Sequence, residues 1–135
     1  MQLIKYCQHL ARLKDDIVFV GGVAMMMHGI DHTPKDIDII VNNLSGLDQK
    51  AKSYETTSKF SISGKRAFIN KKHDVDIFIE KDLPEFIMID GMKVRTIESM
   101  INHNEKLYHQ VDKYWQNRIL ERLAKLKLKQ WQDKI

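Results

Sequence analysis

Two short segments of this chain alternate acid with aliphatic residue, a pattern that a β-strand satisfies and a helix does not. Asp36-Ile37-Asp38-Ile39 and Asp74-Val75-Asp76-Ile77 place apolar side chains at every second position. Successive side chains of a strand point to opposite faces, so the aliphatic set enters a core while the acids share the other face. Two acids on one face repel, and keeping both ionised is costly without a cation. Hard oxygen ligands of this kind suit Mg²⁺ or Mn²⁺. If the second strand lies beside the first, Asp74 or Asp76 joins Asp36 and Asp38. Three carboxylates can hold two metal ions roughly 4 Å apart, the arrangement used for in-line phosphoryl and nucleotidyl transfer. Asp76, enclosed by Val75 and Ile77, is the preferred third acid, because Asp74 follows Lys72-His73 at the strand's start, where water solvates it.

The rest of the chain supplies a setting for that pattern. Leu3, Tyr6, Cys7, Leu10 and Leu13 recur at helical spacing over residues 2–14. Ile17-Val18-Phe19-Val20 reads as a buried strand ending at Gly21-Gly22, followed by a short helix from Val23 to His28 that Gly29 closes. Ile37 to Val41 is a second strand. A weak helix is expected over 45–53, and strands over 57–62 and 66–70 around Ser63-Gly64-Lys65. Asp74 to Glu80 is a further strand. Phe86-Ile87-Met88-Ile89 and Met92-Lys93-Val94 flank Asp90-Gly91, the signal of a type I′ hairpin turn. Beyond Thr96, an expected N-cap, helices are predicted over 97–108 and 110–131, the last with a stripe of Trp115, Ile119, Leu123 and Leu126. The expected fold class is therefore α/β with a mixed sheet (an α+β arrangement), divided into a core over 1–95 and a C-terminal helical pair over 96–135.

Composition sets limits on partners. With 135 residues, 43% hydrophobic and 30% charged, the chain is expected to be one globular domain. No stretch approaches the ~20 apolar residues that span a bilayer, and the N-terminus lacks a secretory signal's pattern, so no membrane partner and a cytoplasmic location are expected. A single cysteine, Cys7, excludes an internal disulfide and a cysteine zinc cage. The net charge of +4 is carried by residues 118–134, where six basic side chains face two acids. Such an end reads as a solvated helix face or as a contact for an anionic partner.

Gly21 and Gly22 end a strand, and glycines at a strand-to-helix junction let backbone N–H groups approach an anion closely. Thirteen residues, Val23 to Lys35, separate them from Asp36-Ile37-Asp38-Ile39. A hydrophobic residue, Gly-Gly, this spacing and Asp-hydrophobic-Asp-hydrophobic together resemble the signature of the DNA polymerase β-type nucleotidyltransferases. Val75-Asp76-Ile77 resembles that superfamily's third acid strand. The resemblance covers about residues 17–80, and within the superfamily it points to small bacterial members of toxin–antitoxin, phage-defence or antibiotic-modifying type. One departure stands out: where relatives carry Arg-x-Thr before the first acid, this chain has His32-Thr33-Pro34, so a group mostly neutral at pH 7 replaces a permanent charge.

The resemblance implies a nucleotidyltransferase fold and a metal-dependent transfer of a nucleoside monophosphate from a nucleoside triphosphate to an acceptor hydroxyl, with release of pyrophosphate. Asp36, Asp38 and Asp76 would bind two Mg²⁺ or Mn²⁺ ions and serve catalysis. Gly21, Gly22, His32 and Lys35 would meet the nucleotide. A homodimer or a protein partner held through the C-terminal helices is expected, and RNA is one possible acceptor. Two alternatives stay open: a degenerate member that binds nucleotide or a partner without turnover, and a basic nucleic-acid-binding module acting through residues 118–134.

Overall fold

The computed structural model describes residues 2–47, 52–55, 60–70 and 72–135. Helix α1 (Gln2–Ala11) leads into strand β1 (Val18–Val20), helix α2 (Gly21–Met27) and strand β2 (Ile37–Val41). Strands β3 (Lys52–Glu55), β4 (Lys65–Asn70), β5 (Asp74–Ile79), β6 (Phe86–Ile89) and β7 (Met92–Arg95) follow, then helices α3 (Ile97–Tyr108) and α4 (Lys113–Lys134). The strands form one open sheet in the order β3-β4-β5-β2-β1-β7-β6. It is mixed: β2 pairs with β5 and β1 with β7 in parallel, while the other neighbours run antiparallel. The chain is thus an α/β protein with a mixed, open sheet and a C-terminal helical pair.

The alternation read from the sequence is realised in the two central strands. Ile37, Ile39 and Val41 of β2 and Val75 and Ile77 of β5 are buried on one face. There they meet Phe19, Val94 and Leu10, and Met100, Ile119 and Leu126 of the C-terminal helices belong to the same core. Cys7 is enclosed in that core, and burial pushes its thiol up to about 12, so it behaves as a small apolar side chain. Asp90 and Gly91 both adopt positive φ, 49° and 79°, as a type I′ turn requires between β6 and β7. Thr96 and Asp112 cap α3 and α4 through bonds from the backbone N–H groups of Ser99 and Trp115.

Several boundaries differ from expectation. The helix sought over 45–53 is absent from the described residues: 45–47 form a turn, and β3 begins at Lys52. Of the strand expected over 57–62, positions 57–59 lie outside the described residues, and Phe60 to Ser63 are not strand. Glu80, buried at the end of β5, organises that segment instead, accepting hydrogen bonds from the Ser61 hydroxyl at 2.5 Å and the Ser63 backbone N–H at 3.2 Å. A buried carboxylate demands donors, and the serine-rich turn supplies them. Helix α2 also starts two residues early, taking Gly21 and Gly22 into its first turn.

Candidate functional site: an acidic cleft between the sheet and the last helix

The parallel pairing of β2 with β5 sets Asp38 directly beside Asp76, with Ile37 opposite Val75 and Ile39 opposite Ile77. Because registers in a parallel pair carry faces together, the two acids emerge on the same side. Asp36 precedes β2 at its open end and is exposed. All three line one cavity of about 480 Å³, together with Gly21, Gly22, His32 and Lys35. Every residue singled out from the sequence as a site residue therefore opens onto the same cleft. Asp74 is exposed at the first position of β5, paired across the sheet with Asn70.

Burial, reinforced by the charges of Asp76 and Asp36, raises the Asp38 carboxyl to about 7, although Arg122 and Arg66 draw it down. Asp36 is also raised, first by partial burial and then by Asp76 and Asp74, with Lys35 opposing. These are the marks of like charges sharing a face. Asp76 has a partner of its own: Arg66 Nη2 of β4 lies 3.2 Å from its Oδ1, and the Arg66 guanidinium is 5.1 Å above the Phe78 ring. Two carboxylates on adjacent strands and a third just before one of them are the type of donor a hard divalent ion takes. Among the described residues, however, no three His, Cys, Asp or Glu side chains converge closely enough to form a finished metal cage.

The glycines have a steric duty beside any role toward a ligand. A Cβ on Gly21, whose φ is +65°, would stand 2.5 Å from Asp38 Oδ2, and one on Gly22 would stand 2.7 Å from His32 Nε2. Removing both methyl groups lets the carboxylate and the imidazole lie against the start of α2. His32 is held below the usual imidazole range, first by burial and then by Arg122, Lys125 and Arg118, so it is neutral at pH 7. His28 is not part of the cleft: it ends α2 and bonds the Arg95 carbonyl at 2.8 Å, fixing the helix to β7.

Charge counting along the sequence missed the opposite wall. Arg118 and Arg122 of α4 are half-buried and line the cleft with Trp115, whereas Lys125 and Lys127 of the same basic tract face solvent. The tract is thus not one uniform solvated face. Positions 115, 118 and 122 fall on one side of a helix, and that spacing was the available signal.

No family model matches this chain, and no curated protein does. Among solved structures, the crystal structure of JHP933 from Helicobacter pylori aligns with a TM-score of 0.46 and 15% identity, over 77% of this chain and 56% of that one. This chain therefore spans just over half the length of that protein.

Proposed function

We propose that the chain is a metal-dependent nucleotidyltransferase, moving a nucleoside monophosphate from a nucleoside triphosphate to an acceptor hydroxyl with release of pyrophosphate. The observation that carries this reading is the β2–β5 register, which puts Asp38 beside Asp76 in a cleft floored by Gly21 and Gly22. Asp36, Asp38 and Asp76 are the residues that would hold Mg²⁺ or Mn²⁺, and such an ion, when bound, offsets phosphate charge and lowers the pKa of a nearby hydroxyl. Gly21 and Gly22 offer a surface without side chains to the phosphates, and Lys35, exposed at the lip, meets their charge. The acceptor oxygen attacks the α-phosphorus, the bond from that phosphorus to the bridging oxygen breaks, and pyrophosphate leaves. Asp76, oriented by Arg66, takes the acceptor's proton.

The Arg66–Asp76 ion pair also favours a second reading, nucleotide binding without turnover, because it already satisfies the third acid. Incubation with α-labelled triphosphates, Mg²⁺ and a lysate of the source cells separates the two. Transfer of label to an acceptor, abolished by Asp76→Asn and little changed by Asp74→Asn, is the expected result. Nucleotide binding with no labelled acceptor would leave the second reading in place, and transfer that survives Asp76→Asn would remove Asp76 from the chemistry.

A further inference from the structure

Arg118 and Arg122 lie one turn apart on the face of α4 that closes the cleft. Like charges four residues apart destabilise a helix, and partial burial adds to the cost. Burial depresses Arg122, and the charge of Arg118 depresses it further, against the attraction of Asp38. Among the described residues no carboxylate lies within ion-pair distance of either guanidinium, and the cleft's other acid pair, Arg66 with Asp76, is already made.

The head of Arg118 is nonetheless fixed. Its guanidinium lies 5.8 Å from the Tyr114 ring centre and 5.5 Å from that of Trp115, and Nη1 donates to the Tyr114 hydroxyl at 3.2 Å. Its Nε is buried and has no hydrogen-bond partner among the described residues. A buried donor left unpaired is costly, and a planar guanidinium held by aromatic rings is preorganised for a two-pronged acceptor such as a phosphate. Both arginines face a cavity of about 480 Å³, the size of a small-ligand site and not of a groove for a nucleic-acid strand.

We propose that Arg118 and Arg122 form a polyphosphate clamp, gripping the β- and γ-phosphates of a nucleoside triphosphate from the wall opposite Asp36 and Asp38. The clamp deepens the nucleotidyltransferase reading and takes its ligand from it. In the transfer step it would hold the pyrophosphate as it leaves, while the acids act at the α-phosphate.

Calorimetric titration with ATP and with inorganic tripolyphosphate, each in the presence of Mg²⁺, tests it. Arg118→Gln and Arg122→Gln should each weaken both ligands by roughly tenfold or more, with the double Arg→Lys variant in between, because lysine keeps the charge and loses the fork. A readout in the otherwise native chain guards against variants that fail to fold. With Trp131→Phe leaving Trp115 as the sole tryptophan, tripolyphosphate should change its emission as Arg118 engages the ligand. Wild-type protein that does not bind tripolyphosphate, Gln variants that bind it as the wild type does, or emission that stays constant while the ligand binds would each overturn the clamp. Arginine-dependent tripolyphosphate binding without transfer to any acceptor would instead overturn the transferase and leave the clamp standing.

Discussion

Asp38 carries a charge that the fold tolerates poorly. Its folded pKa of about 7 lies above the ordinary carboxylate value of 3.8. Between those two values the folded chain keeps a proton that the unfolded chain has released, so stability must fall as pH rises through that window. Asp38→Asn removes this slope. At about pH 8 the variant should melt roughly 5 °C above the wild type, and the gap should close towards about pH 4. Millimolar Mg²⁺ should narrow the gap at pH 8 by stabilising only the wild type. Melting curves that coincide at both pH values would mean that neither burial nor the neighbouring acids disfavour the Asp38 charge.

At the scale of elements, α3 carries an opposing pH dependence. His103 is pushed down to about 4, chiefly by burial and then by Arg95, Arg122 and Lys106. An unfolded histidine takes up its proton near pH 6.5. Between about 6.5 and 4 the unfolded chain therefore binds the extra proton, and stability is lost as pH falls through that range. The neutral His103→Gln should flatten this acid limb while leaving stability at pH 8 nearly unchanged. Because Asp38 and His103 act with opposite sign over the same range, the wild-type profile conceals both, and only the difference between variant and wild type exposes each. An acid limb identical in His103→Gln and wild type would show that the imidazole is not the group responsible. The first turn of α4 is capped by Asp112, yet what holds that helix in place is burial: Ile119, Leu123 and Leu126 belong to the common core, and α4 packs chiefly on α3.

At the scale of the whole molecule, the outer side of α4 carries exposed apolar side chains. Leu120 and Leu128 are 49% and 55% exposed, Trp131 is 60% exposed, and with Ala124 they make a second apolar stripe on the helix. That stripe is separate from the expected one of Trp115, Ile119, Leu123 and Leu126, which is turned inward. A homodimer or a protein partner docked on α4 is the expected outcome. Light scattering should give a mass above that of one chain at high concentration, or a partner should purify with it, and Leu120→Glu with Leu128→Glu should abolish either. A strict monomer without a partner would refute this. Among the described residues no helix is long and apolar enough to cross a membrane.

By itself the sequence determined the strand set around the acids, the Asp90-Gly91 hairpin, the Thr96 cap and the presence of two C-terminal helices. Those features rest on local rules, period-two alternation, turn chemistry and capping, which act between residues near in the chain. The β3–β4 region departs from expectation because its boundary is set by Glu80, seventeen or more residues away, whose buried carboxylate recruits Ser61 and Ser63. Only the tertiary structure decided that Asp76 shares itself with Arg66, that Gly21 and Gly22 make room for Asp38 and His32, and that Arg118 and Arg122 close the cleft. Each of these joins elements far apart in the chain, and charge counting along the sequence cannot tell which side of a helix meets the sheet. Burial and proximity fix that, and they exist only once the sheet and α4 have packed.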